Sequence, residues 1–404
     1  NLNFQNSPTF DNGSTLSVKN SGELILQSGV TINDSSLDFT SSTFKPSGTV
    51  SLTGSSHFTF DSGSSVMLEG DTTLSQSGSV TWPSIDLNGN ALTLASNVTS
   101  MSISGALSIE NGETFNSGAS NLSLNSTLTI DNGGILSSDN GSVTISSGLA
   151  LNNGELRQGG GILNLIGGGT VGSTGRLDVS NSELKLGSAL SFAGTLVVDN
   201  GTSWSGFGGT LDLSAGTLES GGGTFNLDDF TIGANSTFRL SGDTEISSAS
   251  DLTLGNLELN GNTLSLEFAS VGDPAFILPN TLTMDNVSSV IETRGSNLTL
   301  ANALQLNSGS ITSTGGTLSF SSGLTLGSSG ELDVSGSTLS VSQDLDLSSG
   351  TFSSDNSSLD LQAATTLSSS APVSFGEVNF NGNVLSLGSA STHLKVNDAL
   401  ALSG

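Results

Sequence analysis

LTIDNGGILSSDNGSVTISSG, residues 128–148, is followed directly by LALNNGELRQGGGILNLIGGG, residues 149–169, a stretch of equal length with apolar residues in nearly the same places. The apolar pair that opens each stretch falls at Leu107/Ile109, Leu128/Ile130 and Leu149/Leu151, a step of 21 both times. The turn behind it keeps that step, with Asn111, Asn132 and Asn153 and then Gly112, Gly133, Gly154 and Gly175. Further pairs extend the register over most of the chain: Leu16/Val18, Leu37/Phe39 and Phe58/Phe60 upstream, and Leu190/Phe192, Leu211/Leu213, Leu304/Leu306, Leu324/Leu326 and Leu345/Leu347 downstream. A period of this size marks a repeat architecture.

Each unit holds three short alternating runs, Leu128/Ile130, then Ile135, then Val143/Ile145, separated by Asp-Asn-Gly, Ser-Ser-Asp-Asn-Gly and Ser-Ser-Gly. Alternation marks half-buried strands, and the Gly, Asn, Asp and Ser clusters mark turns. Strands this short cannot form a sheet alone, and 21 residues cannot enclose a core. Each strand is therefore expected to pair in parallel with its equivalent one unit later, which winds residues 1–404 into one continuous all-β solenoid of about 21 residues and three short strands per coil. With coils about 4.8 Å apart, roughly 19 of them would make a rod about 90 Å long. By analogy with known families, coils of this size with uneven turns point to a right-handed parallel β-helix. Gly at the corners permits positive φ, and Asn tolerates the left-handed region. The column Asn111, Asn132 and Asn153 serves as a run of turn residues, as an amide ladder between coils, or as both.

A longer unit punctuates the array. VTWPSIDLNGNALTL (80–94), LTLGNLELNGNTLSL (252–266) and VSFGEVNFNGNVLSL (373–387) align without a gap and mark super-repeats of unequal length. Asn-Gly between strands signals a type I′ hairpin, and in a solenoid it equally suits a sharp corner between coil faces.

Composition narrows the function. The 404 residues include 53 Gly, 36 Asp or Glu, 8 Lys or Arg and no Cys, for a formal net charge of -28. Without cysteine there is no disulfide framework and no thiolate metal site. An acidic surface repels nucleic-acid phosphates and anionic lipid headgroups, so neither nucleic acid nor membrane insertion is expected. No stretch approaches the roughly 18 apolar residues of a membrane span. The chain opens at Asn1 without an initiator Met or a signal-peptide pattern, and reads as a mature or excised segment.

Units such as LDLSAGTLESGGGTFNL (211–227) and LTLGSSGELDVSGSTLSV (324–341) resemble the repeats of bacterial β-helical surface proteins, namely autotransporter passengers and filamentous-haemagglutinin-like adhesins. The resemblance spans nearly the whole chain and is periodic and compositional. It implies secretion, an extracellular or cell-surface location, and a role in adhesion, surface layers or fibres.

The chief rival is a polysaccharide-active β-helix protein. Glycosidic hydrolysis needs two carboxylates at a set separation, and the adjacent pair is Asp228/Asp229 in FNLDDFTIG. Strand neighbours point to opposite faces, so this pair reads as a turn rather than a dyad. The cations Lys19, Lys45, Arg157, Arg176, Lys185, Arg239, Arg294 and Lys395 are scattered singly, and the 21-residue spacing of Glu155 with Arg176 and Arg157 with Asp178 suggests cross-coil ion pairs. His57 and His393 have no companion at ligand spacing, and Trp82 and Trp204 stand alone. Asp131, Asp199 and Asp285, with Glu110 in the equivalent place, supply one carboxylate per coil against the roughly six to eight oxygens that Ca2+ takes. No cofactor, no metal site and no catalytic residue is assigned, and at most weak, nonspecific Ca2+ binding is expected. The sequence reading is a non-enzymatic structural rod that pairs with itself head to tail through exposed coil edges, with cell-surface glycans or neighbouring surfaces as further partners.

Overall fold

The computed structural model describes residues 1–206, 209–228, 230–267, 274–280, 282–284, 286–388 and 392–402. All regular structure in them is β-strand, and every strand pairing is parallel. The chain is a β-solenoid with about 21 residues per turn and roughly three strands per coil. It divides into two compact units, residues 1–212 and 213–404.

In the first unit, one sheet runs from Leu2–Phe4 through Leu107–Ile109, Thr127–Ile130 and Gly148–Leu151 to Leu190–Phe192. A second runs from Thr9–Phe10 through Thr114–Gly118, Ile135–Ser138 and Glu155–Gln158 to Thr195–Val198. The third face holds two sheets: Thr15–Lys19, Ser36–Thr40 and His57–Phe60 form one, and a new one begins at Gly78–Trp82 and reaches Ser203–Gly206. Leu128 pairs with Leu107 and with Leu149, and Ile130 with Ile109 and with Leu151. The sequence period is thus the hydrogen-bonded register.

The same pairing stacks side chains. Leu128, Ile130, Leu136, Val143 and Ile145 are fully buried, as are Leu151, Leu156, Leu163 and Leu165 one coil on. In the middle strand the inward residue is Leu136 and not Ile135, which is half-exposed in the alternation of Ile135–Ser138. The turn Asn132-Gly133 sets the phase of that strand, and a slip of one residue exchanges the two faces. The prolines Pro8, Pro46, Pro83, Pro274, Pro279 and Pro372 all fall outside strands, where their missing N–H breaks no ladder.

In the second unit, Gly223–Asn226, Thr244–Ser247, Thr263–Leu266 and Val290–Glu292 open one sheet, while Leu252–Thr253, Ala275–Leu278, Asn297–Leu300 and Thr317–Phe320 belong to another. From Leu304 long strands appear among the short ones. Leu304–Thr312 and Leu324–Asp333 each turn a corner without leaving the sheet, with a register shift at Leu306/Ser308. Leu394–Ala401 pairs with Val373–Asn379, and near it Val384, Leu387, Leu400 and Leu402 are all more than half exposed.

Candidate functional site: the polar corners

The polar chemistry of this chain concentrates where one sheet gives way to the next. In all three longer units the Asn-Gly pair takes positive φ at both residues: 52° and 79° at Asn88-Gly89, 51° and 86° at Asn260-Gly261, 48° and 74° at Asn381-Gly382. Each turn is closed by an i to i+3 hydrogen bond, Asn90 N to Leu87 O (3.0 Å), Asn262 N to Leu259 O (2.9 Å) and Asn383 N to Phe380 O (2.7 Å). Positive φ at both central positions is the type I′ requirement. Yet the flanking strands lie in different sheets, so the motif is a corner with type I′ dihedrals rather than a hairpin.

The two asparagines of the motif share a task. Asn88 and Asn90 both donate side-chain N–H to Leu68 O (2.9 and 3.4 Å), Asn260 and Asn262 to Leu240 O (3.0 and 3.3 Å), and Asn381 and Asn383 to Leu361 O (3.2 and 3.0 Å). Asn-Gly-Asn is therefore a clamp on one carbonyl of the preceding coil. The second Asn also fastens its own turn, Asn90 Nδ2 to Leu87 O (3.1 Å) and Asn262 Nδ2 to Leu259 O (3.0 Å).

The next coil satisfies the turn's free N–H groups. Glu113, 8% exposed, accepts from Gly89 N through Oε1 (2.7 Å) and from Glu110 N through Oε2 (2.8 Å). Ser289 Oγ accepts from Gly261 N (3.1 Å). At other corners Asp61 Oδ1 accepts from Ser41 N (2.9 Å) and Asp199 Oδ1 from Asn181 N (2.7 Å) in the same sense, whereas Asp34 Oδ1 accepts from Ser55 N (2.9 Å) of the following coil. Hydrogen bonds from Ser64 and the Ser41 backbone hold the Asp61 carboxyl below its ordinary pKa. Asp228 is held below its own by the Ala249 N–H (2.6 Å) and, less strongly, by Asn226 and by Ser248 Oγ (3.1 Å). Its sequence partner Asp229 lies outside the described residues, as does Asp285.

Asn111 and Asn132 take φ 54° and 48°, followed by Gly112 and Gly133 at 79° and 81°, whereas Asn153, Gly154 and Gly175 stay out of the left-handed region. The cause is a change of step. Thr114 pairs with Ile135 at 21, but Ile135 pairs with Glu155 at 20. Gly154 therefore stacks on Gly134, whose carbonyl accepts from Glu155 N (2.9 Å), and Gly175 follows Gly154. Glycine is needed in this second column for close approach, since a Cβ at Gly134 would lie 2.1 Å from Ile109 O. The side chains of Asn111, Asn132 and Asn153 are exposed, and Asn152 Nδ2 reaches Asp131 Oδ2 at 3.4 Å beside them. Hydroxyl side chains do link successive coils: exposed Ser14 bonds buried Ser35, whose backbone N–H donates to Ser56 Oγ, and buried Thr293, Ser313 and Ser337 bond side chain to side chain.

Other candidate residues disperse. Arg176 reaches Glu155 across coils (3.3 Å), but Arg157 turns back to Glu155 in its own strand (2.6 Å), while Asp178 Oδ2 lies 3.7 Å from Arg176 and its Oδ1 accepts from Ser180 (2.6 Å). Lys45 bridges Glu23 and Glu69 (2.9 and 3.5 Å), Lys185 meets Glu183 (3.4 Å), Arg239 meets Glu258 (2.7 Å), and Arg294 joins Glu245 and Glu292 (2.5 and 3.0 Å). His57 and His393 are exposed, and among the described residues no group of three or more His, Asp or Glu is placed to hold a metal ion. Trp82 is fully buried against Phe44 and Phe58.

Two features escape the sequence. Gln158, buried in the coil, donates to Gly141 O (2.6 Å) and to Gly160 O. A shallow groove of about 530 Å3 on the second unit is lined by Gln305, Thr325, Gln343 and Asp344 beside Leu304 and Leu324. Comparison with protein-family models, with curated proteins and with solved structures finds no match. The class stated by fold and corners is therefore a β-solenoid repeat protein.

Proposed function

We propose that this chain is a non-enzymatic extracellular structural protein, a rigid right-handed β-solenoid of the kind found in autotransporter passengers and filamentous-haemagglutinin-like adhesins. It serves as a surface fibre, filament subunit or adhesin stalk. The observation that carries this reading is the use of the acidic side chains. Asp34, Asp61, Glu113, Asp199 and Asp228 accept backbone N–H groups at corners, and Glu23, Glu155, Glu258 and Glu292 hold cations. Carboxylates engaged this way hold the protein's own backbone and cations together, whereas a glycosidase sets two of them across its substrate.

Head-to-tail stacking belongs to the same reading. The exposed apolar group Val384, Leu387, Leu400 and Leu402 lies beside the strand Leu394–Ala401, and a further coil laid there would bury it. Electron microscopy across a range of protein and Ca2+ concentrations tests this directly. Filaments or extended stalks are expected; compact particles at every concentration would overturn it. A second reading, polysaccharide binding, is favoured by the groove at Gln305, Thr325 and Gln343, whose amides and hydroxyl suit sugar hydroxyls. Saturable retention on a polysaccharide that Gln305→Ala and Gln343→Ala abolish would support it.

A further inference from the structure

Asn111-Gly112 and Asn132-Gly133 are the same dipeptide in the same backbone, one coil apart. Both asparagines are left-handed and both glycines follow at φ 79° and 81°. All four residues are exposed, and a Cβ added at either glycine would meet nothing within 4 Å. Each turn is closed alike, by Glu113 N to Glu110 O (2.9 Å) and by Gly134 N to Asp131 O (2.8 Å). One difference bears on the reacting nitrogen. Gly133 N donates to Asn153 O at 2.6 Å, whereas among the described residues no hydrogen bond holds Gly112 N–H or the Asn111 amide. Asn153 is not left-handed, and the 20-residue step brings its carbonyl over Gly133, while the 21-residue step below does not do so for Gly112.

We propose that Asn111 is a site of spontaneous deamidation through a cyclic imide. The Gly112 backbone nitrogen gives its proton to a solvent base and attacks Cγ of Asn111. The new N–Cγ bond replaces the Cγ–Nδ2 bond, and the side-chain nitrogen leaves as ammonia after taking a proton from solvent. Water then opens the imide at either carbonyl, giving aspartate or isoaspartate, and nothing is oxidised or reduced. Glycine lacks the side chain that would hinder the attack. A nitrogen already donating a hydrogen bond must break that bond first.

The other Asn-Gly pairs are held or hidden. Gly13 N donates to Asp34 O (2.8 Å), Gly89 N to Glu113 Oε1 (2.7 Å), Gly201 N to Asp199 Oδ1 (3.0 Å) and Gly261 N to Ser289 Oγ (3.1 Å). The Asn381 amide is held by Asp360 Oδ1 (2.6 Å). Gly141 is buried and Gly154 half-buried against Gly134 O. Conversion at Asn111 adds a carboxylate beside Glu110 and Glu113, and the isoaspartyl form lengthens the corner by one methylene.

The test incubates the folded full chain at mildly acidic and mildly alkaline pH and follows each Asn-Gly peptide by mass spectrometry, with isoaspartate counted by enzymatic methylation. Asn111 is expected to convert roughly tenfold faster than Asn132, the factor that about 1.4 kcal/mol of held hydrogen bond represents. The rate should rise with pH, and in urea the two sites should become nearly equal. Equal rates in the folded chain, or Asn132 ahead, would overturn the proposal. Asp199→Ala frees Gly201 N, whose neighbour Asn200 is exposed with no hydrogen bond on its amide among the described residues, and should accelerate Asn200; a folded variant with no acceleration counts against the held N–H as the cause. None of this depends on the structural role proposed above.

Discussion

The coils between Leu107 and Leu186 and those between Leu16 and Trp82 are written in the same kind of sequence and reach different cores. In the later block the apolar inward positions are Leu, Ile, Val and a single Phe, and neighbouring coils stay paired on all three faces. In the earlier block the third-face sheet ends at His57–Phe60 and another begins at Gly78–Trp82. Inward positions there step by 22, from Phe58/Phe60 to Val80/Trp82. Rings fill the step: Phe39 stacks on Phe60 at 4.8 Å, and Trp82 meets Phe44 and Phe58 edge-on at 6.3 and 6.1 Å. Aliphatic side chains build a ladder that stays paired through steps of 20 and 21, while an aromatic cluster bridges the place where the third-face sheet is interrupted.

The sharpest way to break that contrast is to empty each core in turn. Trp82→Ala should destabilise its coils by about 3 to 5 kcal/mol and Leu136→Ala by about 2 to 5 kcal/mol. Because a repeat array need not unfold in one step, hydrogen exchange read coil by coil is the suitable measurement. Protection lost around residues 57–103 in the first variant and around 114–158 in the second is the expected pattern. Trp82→Phe should cost under about 1.5 kcal/mol, since buried Trp82 Nε1 has no hydrogen-bond partner to lose. Ile135→Ala, at a half-exposed position, should stay near the roughly 0.5 kcal/mol of surface changes. If Ile135→Ala proves as damaging as Leu136→Ala, the inward assignment is wrong.

How much of this is legible in the sequence follows from the same residues. The 21-residue step shows in Leu107, Leu128 and Leu149 because each side chain must sit on its equivalent, so packing writes the register into the sequence. The phase of Ile135 and Leu136 was not legible, because both are apolar and only the turn before them decides which faces in. Nor was the break in the glycine column at Gly154: a spacing of 21 in sequence hid a pairing step of 20, since Gly133-Gly134 offers two adjacent glycines to stack on. The Asn-Gly-Asn clamp was visible as a motif, but its carbonyl target lies a full coil away. The serine column at Ser14, Ser35 and Ser56 did carry a signal, the same step of 21, lost among the many other serines of the chain.

Smaller effects sharpen the corners. Glu113→Ala leaves the Gly89 and Glu110 N–H groups without acceptors, for an expected loss of about 1 to 3 kcal/mol. Ser289→Ala removes a single neutral acceptor from the matching turn of the second unit and should fall near about 1 kcal/mol. The ratio matters more than either value. Two charged contacts against one neutral contact at otherwise equivalent Asn-Gly turns should leave Glu113→Ala the costlier change, measured as exchange rates at the flanking strands. The reverse order would mean that solvent fills the place of the carboxylate.

The smallest effects separate acid from alkali. Asp228, below its ordinary pKa because Ala249 N–H binds the charged form, contributes stability that is present above the ordinary carboxylate pKa of about 3.9 and is lost as pH falls through its lowered value. Lys45, raised chiefly by Glu23, contributes in the opposite sense: its share is present below the ordinary lysine pKa and is lost as pH rises through the raised value. Asp228→Asn should therefore flatten the acid limb of the stability profile and leave the alkaline limb alone, and Lys45→Met should do the converse. Both groups are solvent-accessible, so Lys45→Met should cost no more than about 1 kcal/mol and less as salt is added. Added salt also screens the repulsion of a chain with a net charge of -28, so the wild type should gain stability over the same range in which the Lys45 contribution fades. A wild-type chain destabilised by salt would show that its ion pairs, rather than its surplus of carboxylates, dominate its electrostatics.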